Sequence, residues 1–213
     1  MYKELFSATI ETLYMVFFSG FLTVIGGGVI GLCLYELSQR KKPWANISYQ
    51  FISTIINLAR SFPFIILMIA IMPFTKFLVG TSIGNNAAIV ALTISAIPFF
   101  ARLTESSLKE VSQGLEDLAK ILGCRTYQKL RRILIPQAVP SIISGITLTL
   151  INLVGYTAMA GAIGGGGLGT LAINYGHQRF NLEVMISTVI VLIIIVQLIQ
   201  FLGDRLYRSF NHN

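Results

Sequence analysis

The interval from Arg102 to Pro136 constrains the chain most, because it is the only long stretch too polar to sit in hydrocarbon. It separates two sets of apolar runs and must lie outside the membrane. Inside it, residues 114–123 read Gly-Leu-Glu-Asp-Leu-Ala-Lys-Ile-Leu-Gly. Leu115, Leu118, Ala119 and Leu122 recur at i, i+3, i+4 and i+7, with Glu116, Asp117 and Lys120 turned away, which predicts a short amphipathic helix. Gly123 breaks the pattern, Thr126 is placed to cap a second short helix, and Ile133-Leu134-Ile135-Pro136 leads into an apolar run that opens after Pro140. Two small helices are expected to meet at a glycine.

The surrounding sequence belongs in lipid. The chain is 54% hydrophobic and only 12% charged, with a mean hydropathy of +0.73. Its charges could not cover a globular surface, so an all-α integral membrane protein is expected. In a soluble domain the net charge of +7 would point to nucleic acid. Here the basic residues fall between apolar runs, where positive-inside bias accounts for them. Membrane lipid is therefore the expected surrounding and nucleic acid is not an expected partner. Cys33 sits in an apolar run and Cys124 in the polar interval, so no bridge is expected, and neither has metal-ligand spacing. The first apolar run is too long for the core of a cleavable signal and is expected to stay in the mature protein.

Five spans are predicted, at about residues 14–35, 47–72, 85–100, 141–159 and 182–201, forming one membrane domain over residues 1–213 with its polar loop at 104–136. Residues 1–13 read as an amphipathic lead-in along the interface, 73–84 as a short loop, and 160–169 as a glycine-rich loop extending to 181. Gly20, Gly26, Gly27, Gly28 and Gly31 in the first span mark close helix packing. The second run exceeds the roughly 20 residues a span needs, and Pro63 interrupts it, so it must tilt, kink or protrude. Arg40, Lys41, Lys42, the polar interval, Arg205 and Arg208 put most basic charge on one side, against Lys3, Lys76 and Arg179 on the other. The amino end is then expected outside and the carboxyl end in the cytoplasm. An odd span count makes an internal inverted repeat unnatural, and a pathway on the axis of a homodimer is the simpler expectation.

Nucleotide-binding and metalloprotease signatures are missing from the sequence. It contains no G-x-x-x-x-G-K-[ST] and no H-E-x-x-H, so this chain is not expected to bind ATP or to be an enzyme. The polar residues within the spans carry the functional question. Arg60 either faces a protein interior or water, or snorkels to the cytoplasmic interface. Gly145, Thr149, Asn152, Tyr156 and Met159 recur at alternating four and three residues and share one helix face. That face is either a pathway lining, closed toward the outside at Met159, or the polar glue that holds spans together.

The spacing Asp117-Leu118-Ala119, Gly123, Ile133-x-Ile135-Pro136 resembles the E-A-A-x3-G-x9-I-x-L-P loop of ABC-importer permeases. Asp117, Leu118 and Ile135 depart from that pattern, while Ala119, Gly123, Ile133 and Pro136 match it. The resemblance implies a type I importer permease fold whose cytoplasmic coupling helix, with Glu116, Asp117, Ala119, Gly123 and Pro136, docks on a cytoplasmic ATPase. ATP and magnesium would then reside on that partner, with no cofactor on this chain. Arg60-Ser61-Phe62-Pro63-Phe64-Ile65-Ile66-Leu67, Val79-Gly80-Thr81-Ser82-Ile83-Gly84 and the run from Leu153 to Gly169 are further similar to permease subunits of bacterial methionine importers. That likeness implies a homodimer of five-span subunits in the bacterial inner membrane, served by an extracytoplasmic methionine-binding lipoprotein and importing L- and D-methionine by alternating access. A permease for another amino acid, or a non-transporting scaffold or channel, remains the alternative.

Overall fold

The computed structural model describes residues 2–40, 42–112, 114–115, 123–124 and 126–211. Helix α1 (Tyr2–Gln39) is 38 residues long, about 57 Å of helix against a hydrocarbon core about 30 Å thick. It corrects the expected interfacial lead-in, because residues 2–13 continue straight into the span. No glycine or proline interrupts the junction, and a single buried stripe of Ala8, Thr12, Met15, Ser19, Thr23, Gly27 and Gly31 runs along both halves.

That stripe faces α5 (Asn85–Lys109). A Cβ at Gly27 would stand 2.9 Å from the Ile97 carbonyl oxygen, and one at Gly31 would stand 2.6 Å from both the Ala101 carbonyl oxygen and Thr104 Cβ. The two backbones approach so closely only because these positions carry no side chain. Gly28, one position round the helix, has only ordinary contact with Phe100 at 3.8 Å.

The second apolar run breaks into α2 (Pro43–Ser61) and α3 (Phe64–Ala70), bent by 103°. Phe62, at φ −76° and ψ 129°, is driven out of the helical region by the ring of Pro63. The expected loop at 73–84 instead contains α4 (Met72–Val79), started by Pro73 in its first turn and ended by Gly80 at φ +77°. Among the described residues four helices are long and apolar enough to cross a membrane, and with the bent pair counted as one broken span there are five.

After the polar interval, α6 (Thr126–Lys129) passes through a wide π-helical turn at Leu130–Leu134 into α7 (Ile135–Gly161). In that turn the Ile135 N–H donates to the Leu130 carbonyl, which opens the spiral just ahead of Pro136, a residue with no N–H to give. The glycine-rich loop holds a short helix, α8 (Gly167–Leu171), and a second π-helical stretch, Ala172–His177. The last helix, α9 (Leu182–Phe210), is capped by Asn181, whose side chain accepts from Val184 N–H at 3.2 Å.

The two ends of the bundle differ in chemistry. At one end the Gly84 N–H donates to the Gly164 carbonyl at 2.9 Å, Gly167 N–H to Glu11 Oε2 at 2.8 Å and Leu168 N–H to Thr12 Oγ1 at 2.9 Å. Positive φ at Gly164, Gly166 and Gly167 lets the loop fold back this tightly. At the other end, Lys129 Nζ lies 3.6 Å from Glu36 Oε1, and Ser141 Oγ donates to Glu110 Oε2 at 2.5 Å. Leu134 is buried there with Tyr35, Leu108 and Ala138, so the exit of the polar interval is fixed to the ends of α1 and α5.

Overpacking the closest helix crossing should unsettle the whole subunit. Gly31→Val is expected to lower stability by about 1–3 kcal/mol, read as a lower melting midpoint in detergent, while Gly28→Ala stays within about 0.5 kcal/mol of the parent. Equal midpoints for the two variants would show that the α1–α5 approach is not the tight point.

Candidate functional site

Of the residues expected in the coupling loop, Glu116, Asp117 and Ala119 lie outside the described residues. Gly123 is exposed, at φ +64° with nothing within 4 Å of a would-be Cβ. Its left-handed conformation is what a helix-ending glycine adopts. Pro136 is exposed at the start of α7, directly after the wide turn.

Two of the residues expected along a pathway come together at the helix break. Arg60 and Tyr156 line one cavity of about 140 Å³, between the end of α2, α3, α5 and α7. The ring of Tyr156 stacks on Phe64 with centroids 4.7 Å apart and planes 4° from parallel. Arg60 lies with its guanidinium carbon 5.8 Å from the centre of the Phe99 ring, within cation–π range. The sharp bend at Pro63 is what turns Phe64 back toward Tyr156 and leaves Arg60 at the lip.

The shared face of α7 divides in the folded subunit. Thr149 is buried, and its hydroxyl donates to the Gly145 carbonyl of its own helix at 2.7 Å. Asn152 is exposed, and Met159 is 45% exposed. Leu148, Asn152, Gly155 and Met159 make an open stripe beside the buried positions. Tyr156 belongs to neither set, being half-buried against Phe64.

A cluster that sequence reading passed over lies one to two turns along α5. Glu105 is 2% exposed, and three donors converge on it: Arg102 Nη1 at 2.6 Å, Lys109 Nζ at 2.6 Å and Tyr49 Oη at 2.9 Å. Arg102 reaches on to α2, with Nη2 2.5 Å from Ser53 Oγ and 3.0 Å from Asn57 Oδ1. The signal was legible, since Arg102, Glu105 and Lys109 stand at i, i+3 and i+7 on one helix face. Read as part of a solvated interval, however, Glu105 gave no hint of burial.

Among the described residues no group of three metal-ligating side chains could hold an ion. The arrangement joins a broken helix, a small aromatic cavity lined by Arg60, and an ion cluster tying the broken helix to α5. A family model for the binding-protein-dependent transport system inner membrane component matches residues 27–213. The chain belongs to that family. A probable D-methionine transport system permease protein of Vibrio cholerae is 46% identical over 209 residues, 98% of this chain and 92% of the relative. A methionine import system permease protein of Bacillus subtilis is 46% identical over 202 residues, 94% of this chain and 90% of the relative. A solved structure of the MetNI methionine ABC transporter, described as inward facing, matches with a TM-score of 0.95 at 43% identity, covering 100% of this chain and 98% of that one. An amino acid ABC transporter with histidines, at 20% identity and a TM-score of 0.79, shares the fold alone.

As an inner membrane transport component the chain is a non-catalytic permease subunit, with the fold of type I importer permeases. In such a subunit the Glu105 cluster holds α2, and through it the break, in a fixed position on α5. Its removal strands two cations around a buried site, so Glu105→Gln is expected to cost about 1–3 kcal/mol in thermal unfolding of the purified protein. Tyr49→Phe should cost less in the Glu105→Gln background than alone. Strictly additive losses would show that the cluster is not one unit.

Proposed function

We propose that this chain is the membrane-spanning subunit of an ATP-driven importer of L- and D-methionine. The observation that carries this reading is the likeness, over nearly the full length of both chains, to permeases named for methionine transport, joined to a TM-score of 0.95 with a methionine ABC transporter. The subunit supplies the pathway and a cytoplasmic ATPase supplies the energy. ATP closure of that partner distinguishes two states of the permease, and without such a differential no shift between them would occur. The coupling loop at 104–136 transmits the movement, and the packing of Leu134 against Tyr35, Leu108 and Ala138 ties its exit to α1 and α5.

The subunit works as a homodimer. The open stripe of Leu148, Asn152, Gly155 and Met159 supports this, since the amide of Asn152 is costly against lipid and the small Gly155 suits a close approach on an axis shared by two copies. The end of the bundle rich in Arg and Lys faces the cytoplasm, and the glycine-rich end faces outward toward a binding lipoprotein. A cysteine placed at Asn85 should accordingly react with an impermeant reagent from outside. Reaction only after permeabilisation would reverse the orientation.

Uptake of radiolabelled methionine into proteoliposomes containing this subunit, its ATPase and its binding protein tests the function. Methionine is expected to accumulate with ATP and to be displaced by excess unlabelled methionine but not by a polar amino acid. Accumulation of a different amino acid in preference would assign another cargo. In the same vesicles Gly123→Val is expected to lose uptake at least about tenfold while ATP hydrolysis persists, because a β-branched residue resists φ > 0. Normal uptake by this variant would remove the coupling role from the glycine.

The dimer has its own test. With Cys33 and Cys124, both free thiols, replaced by serine, Met159→Cys is expected to form a disulfide between subunits in the nucleotide-free state and less of it with ATP and binding protein present. An unchanged yield in both states would mean that Met159 does not move in the cycle.

A further inference from the structure

Arg60 is a charge at the end of α2, beside the break that separates α2 from α3. Its neighbour Phe99 stands three residues before Arg102, where the polar interval begins, about 4.5 Å along α5. At the edge of a span a cation ordinarily faces a protein interior, water or an anion. Arg102 and Lys109, nearer the end of the bundle, both reach Glu105. No carboxylate pairs with Arg60 among the described residues. Its surroundings are Phe62, Phe64, Phe99 and Tyr156, with the hydroxyl of Ser95 as a further polar group. The break adds one more feature, since the last carbonyls of α2 have no helical N–H beyond Phe62 to meet.

We propose that this cavity is a transit subsite for the amino acid cargo. Arg60 takes the α-carboxylate in a charge-assisted pair. The terminal carbonyls of α2 face the α-ammonium, and Phe64, Phe99 and Tyr156 receive the thioether, for which aromatic rings are favourable neighbours. The volume of about 140 Å³ is below the roughly 300–1,000 Å³ of drug-sized pockets, so the subsite admits one small amino acid and excludes a peptide. A single unneutralised arginine recognises a monoanionic head, and a ring-walled pocket without further charge selects an apolar side chain. The inference rests on the reading of the chain as a methionine importer permease and assigns residues to its selectivity.

Ser95→Cys, in a chain with Cys33 and Cys124 replaced by serine, reports occupancy through its rate of reaction with a small thiol reagent in the complete transporter. Leu67→Cys on α3 lines the same cavity and serves as a second reporter where the first does not assemble. Methionine is expected to slow the reaction, and methioninol, which lacks the carboxylate, to protect with about tenfold weaker affinity. Norleucine, which lacks the sulfur, should fall between them. Arg60→Gln should erase the difference between methionine and methioninol in protecting either reporter. Equal protection by methionine and methioninol, or none by either, in vesicles whose parent protein imports methionine normally, overturns the subsite and leaves the transport reading intact. Failure of the parent to import methionine overturns both.

Discussion

The close approach of α1 to α5 is the constraint on which the rest of the subunit depends. In lipid there is no hydrophobic gain from bringing two apolar helices together, so association relies on contact and on polar groups. Gly27 and Gly31 leave room for the Ile97 and Ala101 carbonyls within 3 Å of where side chains would begin. The other helices are then placed around a fixed pair. α7 and α9 pack on one flank, and the broken helix is tied to α5 by Arg102 and Glu105 on the other. The cavity beside Arg60 has its walls on three of these pieces, so its shape follows from how firmly the central pair is held.

The break at Pro63 shows how a local covalent constraint becomes a site. A proline ring excludes its predecessor from the helical region, and in a span the freed backbone groups must find partners or water. Here the chain turns through 103°, with Phe64 stacked on Tyr156 and the guanidinium of Arg60 against the Phe99 ring.

Much of this was legible in the sequence. Hydropathy located the spans, Pro63 marked the break, and the glycines of the first span marked the tight crossing, because each rests on local chemistry that no tertiary context can reverse. The length of α1 was missed, since an acidic residue such as Glu11 reads as interfacial until its partner, the Gly167 N–H, is known. α4 was missed because a proline–glycine-bounded segment of eight residues looks like a loop by composition. Spacing placed Thr149 and Tyr156 on one face but could not divide that face, as only the neighbouring helices decide that Thr149 turns inward and Met159 outward. Glu105 was hidden for the same reason. Its three donors come from two helices, and Tyr49 lies 56 positions away.

The contacts of Glu11 and Thr12 with the glycine-rich loop span 156 residues of chain, and this sets an order on assembly. Helices enter the bilayer from the amino end during synthesis, so α1 stands in place, its acceptors at Glu11 and Thr12 unfilled, while three further membrane segments are still to come. Such long-range closures form late. The glycine-rich end of the subunit is therefore the last part to become rigid, and a nascent chain is recognisable as incomplete by a carboxylate and a hydroxyl each still waiting for a backbone amide to arrive.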